Sequence, residues 1–215
     1  MKVKAKRLKS LLQEVDDFDN PRIELEQYIT PLEISVALLQ HVDELVSLDG
    51  CAVADLGCGT GRLLLGSAFL GAQISVGVDC CQNAILTAQH NIEKFDFEES
   101  TSTTQLVLAD AKGSIPIVDK FDVVLTNPPF GTKNNQGSDV AFVLAGLNML
   151  SAGGKLFSLH KSSTRNFLIK TAKKWGSVNR AECVAELKWN LGPTYKFHKK
   201  TNVDIDVVLC CFEKV

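Results

Sequence analysis

The sequence predicts an α/β fold, a mostly parallel sheet covered by helices on both faces and finished by an antiparallel pair of strands. Three observations carry that expectation. From residue 51 onward, short apolar runs alternate with segments of helical period. Four of these runs end in a polar side chain: Asp55, Asp79, Asp110 and Asn127. The last two runs, 181–190 and 203–212, follow one another with no helix between them. Strands that alternate with helices are joined by crossovers, so they lie parallel and bury both faces.

The elements follow in order. The basic stretch "KVKAKRLKS" (2–10) reads as disordered or as an arm that touches nucleic acid. Thr30, Pro31 and Glu33 spell a helix start, with Thr30 as cap, Pro31 in the first helical position and Glu33 reaching back; the helix should run to about Val46. "CAVAD" (51–55), a glycine turn and a helix over 62–70 form the first strand–turn–helix unit. A second strand at 73–79 leads into a helix from Gln82 to Phe95, and further strands are expected at 104–110 and 121–127. A polar loop, a helix at 139–151, a strand at 154–160 and a helix at 163–175 precede the terminal pair, giving seven strands.

Composition bounds the rest. The chain has 215 residues, 45% hydrophobic and 22% charged, enough for one large domain: an N-terminal helical extension over 1–50 and an α/β core over 51–215. No apolar run is long enough to span a membrane, and the N-terminus lacks the apolar core of a secretory signal, so the protein is expected inside the cell, in nucleus or cytoplasm. The seven cysteines include no C-x-x-C, so they read as reduced thiols, and no metal cluster is expected. A net charge of −2 gives no global polyanion signature, although cations gather at 2–9, 160–174 and 196–200.

In an open α/β sheet, ligands bind beyond the carboxyl ends of the strands. The four polar strand ends therefore mark a rim. "DLGCGTG" (55–61) supplies Gly57, Gly59 and Gly61 where the chain must turn sharply close to a ligand. Its spacing, G-x-G-x-G, differs from the dinucleotide fingerprint. Asp79 suits both ribose hydroxyls of a nucleoside, and Asp110 suits an adenine amino group. In "NPPF" (127–130), two prolines fix the backbone so that the Asn127 carboxamide and the Pro128 carbonyl form paired acceptors for a planar NH₂ group, with Phe130 as a stacking face. The alternative is a rigid turn with Phe130 in the core.

These motifs resemble the class I S-adenosylmethionine-dependent methyltransferases, which have a Rossmann-like fold. "LEQYIT" (25–30), "NPPFGTKNNQGSD" (127–139), "SLHKSSTR" (158–165) and "YKFHKK" (195–200) extend the resemblance to the methyltransferase-like 5 family of adenine N6-methyltransferases of ribosomal RNA, over nearly the whole chain. The chain departs from that family in lacking a proline before Thr30 and an acid two positions after Asp79. The resemblance implies S-adenosylmethionine at Gln27, Thr30, Asp55, Gly57, Gly59, Thr60, Gly61, Asp79, Asp110 and Ala111. It implies Asn127, Pro128, Pro129 and Phe130 as the catalytic loop, and a small zinc-binding activator subunit that adds strands at a sheet edge. The substrate it implies is an adenosine of small-subunit (18S) ribosomal RNA. The basic residues Lys133, His160, Lys161, Arg165, Lys196, His198, Lys199 and Lys200, with Phe197, would then meet RNA. Methylation of guanine N2 or of a glutamine amide, or a non-catalytic RNA scaffold, are the competing readings.

Overall fold

The computed structural model describes residues 3–95, 102–118, 120–130, 137–191 and 203–215. Its elements run α1 (Ala5–Gln13), α2 (Leu32–Val46), β1 (Ala52–Leu56), α3 (Arg62–Phe69), β2 (Ile74–Asp79), α4 (Gln82–Lys94), β3 (Thr103–Leu108), β4 (Phe121–Thr126), α5 (Ser138–Met149), β5 (Leu150–Lys161), α6 (Arg165–Ala172), β6 (Val178–Leu191) and β7 (Val203–Lys214). One seven-stranded sheet has the order β3-β2-β1-β4-β5-β7-β6. The first five strands pair in parallel, and β7 is antiparallel to both β5 and β6. The expected sheet and its terminal antiparallel pair are present.

Two apolar layers sandwich the sheet. Leu8, Leu12, Leu38, Leu39, Leu63 and Leu65 from α1, α2 and α3 pack with Phe157, Leu209 and Trp189 on one face. On the other, Phe142 and Leu147 of α5 and Leu168 of α6 pack with Leu156, Val208 and Phe212. The inner parallel strands β1 and β4 read as mostly apolar runs because both of their faces are covered.

Four local expectations need correction. Residues 5–13 form a helix whose Leu8 and Leu12 are fully buried, so residues 5–10 of the basic stretch are neither disordered nor a free arm. Apolar side chains four apart on one helical face outweigh the surrounding cations. The cap of α2 is Pro31 rather than Thr30, with no side-chain cap bond, and Glu33 pairs with Lys9 at 3.1 Å instead of reaching back. The third strand stops at Leu108, leaving Asp110 in a turn where its Oδ1 accepts from Lys112 N at 2.8 Å. The helix expected at 163–175 is a short 3₁₀ turn, Ser162–Thr164, followed by α6.

Candidate active site

The strand order reverses direction at β1, with β2 on one side and β4 on the other, and ligand clefts of open α/β sheets form at such switch points. An open cleft lies there. Asp55, Asp79, Asp110 and Asn127 all line it, so the rim expected from the strand ends exists. Gln27, Thr30, Gly57, Gly59, Thr60, Ala111 and Pro129 line it as well.

The glycine turn shows why this loop needs its residues. Gly57 N and Cys58 N both donate to Val78 O, at 2.8 and 3.0 Å, which folds the turn onto the end of β2. Gly57 has φ +76°, and a Cβ there would come within 2.9 Å of the Phe142 ring. Gly59, at φ +54°, would meet Phe18 at 2.8 Å. A side chain at either position would close the approach to the cleft. Gly61 does not line the cleft: it precedes α3 at φ +90° and faces Ala88 of α4. Its part is helix packing rather than ligand contact.

Carboxylates organise the loop. Asp79 Oδ2 accepts from Gly59 N at 2.9 Å, and Oδ1 from Cys81 N at 2.8 Å. Burial raises its pKa above the ordinary carboxylate value, while these amides oppose the rise. A carboxylate has about four acceptor directions, so Asp79 retains capacity toward hydroxyl groups in the cleft. Asp55 Oδ2 accepts from Leu64 N at 2.9 Å in the first turn of α3. Burial pushes its carboxyl up to about 7, and nearby Asp79 adds to the effect against the Leu64 amide. Asp55 thus ties β1 to α3 in addition to lining the cleft.

The loop expected to carry the chemistry, residues 127–130, divides. Asn127 Nδ2 donates to Thr30 Oγ1 at 3.0 Å, whereas Asn127 Oδ1 is buried without a protein partner. Thr60 Oγ1, also in the cleft wall, is likewise buried and unpartnered. Unmatched buried acceptors are costly, and here two belong to one cavity. They fit polar ligand groups entering the cleft.

Pro128 is buried. Phe130 lies outside the cleft lining, half-buried, with its ring 5.8 Å from Tyr28 and 5.6 Å from Trp189. Lys161 Nζ stands 5.7 Å from its ring centroid. The packed alternative describes Phe130 in this structure.

Of the residues assigned to RNA, Lys133, Lys196, Phe197, His198, Lys199 and Lys200 lie outside the described residues. Arg165 pairs with Glu186. His160 is corrected: it is 1% exposed, and burial lowers its pKa to about 3, so it is a neutral core residue and not a phosphate contact.

Three cleft-building residues escaped sequence reasoning. Phe18 covers Gly59. Arg62 donates to Thr30 O at 3.0 Å and Val15 O at 3.2 Å. Asn91 binds Asp16 N, Asp16 O and Thr60 O. Only Arg62 left a signal: a cation in the first turn of an otherwise apolar helix opposes the helix dipole and so calls for a partner.

Comparison with known proteins is consistent with this geometry. Residues 33–181 match the model of the methyltransferase small domain. The chain is 42% identical over 206 residues to the rRNA N(6)-adenosine-methyltransferase metl-5 of Caenorhabditis elegans, covering 95% of both chains. It is 39% identical over 215 residues to the Mettl5 enzyme of the same description in Drosophila melanogaster, covering 99% of this chain and 97% of that one. Among solved structures, the PH1948 protein of Pyrococcus horikoshii superposes with a TM-score of 0.81 at 28% identity, covering 100% of both chains. A small-domain methyltransferase fold, a nucleoside-type rim and full-length relatives of one description place the chain in the methyltransferase-like 5 family of rRNA N6-adenosine-methyltransferases.

Proposed function

We propose that this chain transfers the methyl group of S-adenosylmethionine to N6 of an adenosine in small-subunit (18S) ribosomal RNA, paired with a small zinc-binding activator. The observation that carries the reading is Asn127. Its Nδ2 is anchored and its buried Oδ1 is free at the cleft wall, which suits an N–H donor.

When bound, the cofactor supplies an electrophilic methyl group on a sulfonium. Gln27, Thr30, Gly57, Gly59, Thr60, Asp79, Asp110 and Ala111 would hold it, and Asp55 adds negative charge nearby. The exocyclic nitrogen of adenine is a weak nucleophile because its lone pair is delocalised into the ring. Asn127 Oδ1 and the Pro128 carbonyl, accepting its two protons, favour a pyramidal nitrogen with the lone pair free to attack. That is catalysis by positioning and electrostatics. The proton released after transfer goes to water.

The target base must leave its stack to enter the cleft. Lys161, at the carboxyl end of β5 beside Phe130, puts a cation on the rim side of the sheet. The activator fits the β3 edge of the sheet. There Leu108 of β3 and Leu86 of α4 are 54% and 60% exposed, whereas the β6 edge carries Arg180, Glu182, Glu186 and Lys188.

The test is transfer from labelled S-adenosylmethionine to ribosomal RNA, with and without the activator, followed by nucleoside analysis. Labelled N6-methyladenosine in small-subunit RNA is expected. Label on guanine or protein moves the acceptor, and no label with the partner present leaves a scaffold. Asn127→Ala should abolish transfer while cofactor affinity stays within about threefold of wild type.

A further inference from the structure

We infer that Thr30 is a positioning residue: its hydroxyl holds the Asn127 carboxamide so that Oδ1, and not Nδ2, faces the acceptor amine. The inference rests on the methyl-transfer reading above and deepens it. A primary amide has a donor end and an acceptor end of nearly the same shape, and half a turn about the terminal torsion exchanges them. With Nδ2 toward an incoming NH₂ group, two donors would meet, and the acceptor that shapes the nucleophile would be lost. Thr30 Oγ1 sits 3.0 Å from Nδ2, and Oδ1 has no protein partner.

The holder is itself held. Thr30 is 7% exposed, and its carbonyl accepts from Arg62 Nη1 at 3.0 Å and from Ser35 Oγ at 3.2 Å. Arg62 Nη2 continues to Val15 O at 3.2 Å, so the guanidinium locks two segments of the N-terminal region at once. Thr30 also fails to do what its sequence context suggests, since α2 is not capped by its side chain. The hydroxyl instead reaches a residue 97 positions away.

A hydroxyl can give or receive, so something must decide which it does here. Thr30 lines the same cleft as the cofactor-type residues. An acceptor oxygen of a cofactor bound there would draw the hydroxyl proton, which leaves Oγ1 only the role of acceptor toward Nδ2. Cofactor occupancy and the correct face of Asn127 are then linked through one oxygen atom.

The test compares Thr30→Val, which keeps the shape and removes the hydroxyl, with Thr30→Ser, which keeps the hydroxyl. Four quantities are read on the full chain: the thermal midpoint, the cofactor dissociation constant by calorimetry, the single-turnover rate at saturating cofactor and RNA, and the side-chain ¹⁵N amide signals of Asn127 with cofactor bound. Thr30→Val should slow transfer by about 10- to 100-fold at saturation and shift the Asn127 amide signals, with the thermal midpoint lowered by no more than a few degrees, as the loss of one hydrogen bond allows. Thr30→Ser should stay within about threefold of wild type.

A Thr30→Val rate equal to wild type, a Ser variant as slow as the Val variant, or a loss that vanishes at saturating cofactor would overturn the inference. The last outcome would leave Thr30 a cofactor contact alone. If wild type transfers no methyl to ribosomal RNA, the reading above fails, but the Asn127 amide signals still decide the role of Thr30. Signals that do not move in Thr30→Val would end it.

Discussion

Asp55 holds its carboxyl group where solvent barely reaches, at 2% exposure, and burial pushes its pKa up to about 7. In the unfolded chain the same group titrates near the ordinary carboxylate value. Between those two values the unfolded chain has lost its proton and the folded chain keeps it, so stability falls as pH rises through that window. Asp55→Asn, whose Oδ1 can still accept from Leu64 N, should flatten the slope. It should be more stable than wild type at pH 8 and nearly equal to it at pH 4, as urea unfolding at the two pH values would show. On the methyl-transfer reading, a negative charge beside the cleft favours a positively charged cofactor. Wild-type cofactor affinity should therefore rise as pH is raised through about 7, and the Asn variant should show no such rise by calorimetry.

At the scale of elements, the segment between α1 and α2 crosses the cleft and supplies Phe18 and residues 25–30 to its wall. Two side chains fasten it. Asn91 of α4, fully buried, satisfies both the Asp16 N–H and the Asp16 carbonyl while also binding Thr60 O. Arg62 of α3 binds the Val15 and Thr30 carbonyls. Asn91→Ala leaves the buried Thr60 carbonyl and the part-buried Asp16 amide and carbonyl without their partner, and should cost about 1–3 kcal/mol in equilibrium unfolding. It should also weaken cofactor binding, since Phe18 then loses its anchor over Gly59. The β3 edge makes a separate prediction. Leu86→Asp with Leu108→Asp should abolish co-purification with the activator while the chain alone unfolds at its usual temperature; charge reversal at Glu182 and Lys188 on the β6 edge should leave the pair intact. Both leucines are exposed, so little core packing is at risk.

For the whole molecule, what the sequence disclosed depended on how local its cause was. Asp79 and Asn127 stand where their strands end, which alternation alone locates, and the glycine turn lies between two readable elements. Contacts that finish the site are not local: Thr30 meets Asn127 across 97 residues, and Asn91 meets Asp16 across 75. No periodicity encodes such pairs. Phe130 was ambiguous for a related reason, since stacking in a cleft and packing on Trp189 call for the same side chain. The helix α1 was legible in principle from Leu8 and Leu12, but the cations around them drew the reading toward an arm.

The position of β7 bears on how the chain is made. It is the latest strand in sequence, yet it lies between β5 and β6, and Val207 through Cys210 and Phe212 are wholly buried in its middle. On the ribosome, β6 therefore emerges before β7, its strand partner among the described residues, while the edge of β5 that β7 will cover stays open. Synthesis runs from the N-terminus at about 5–20 residues per second. For that interval the nascent chain presents the edge of β5 unpaired.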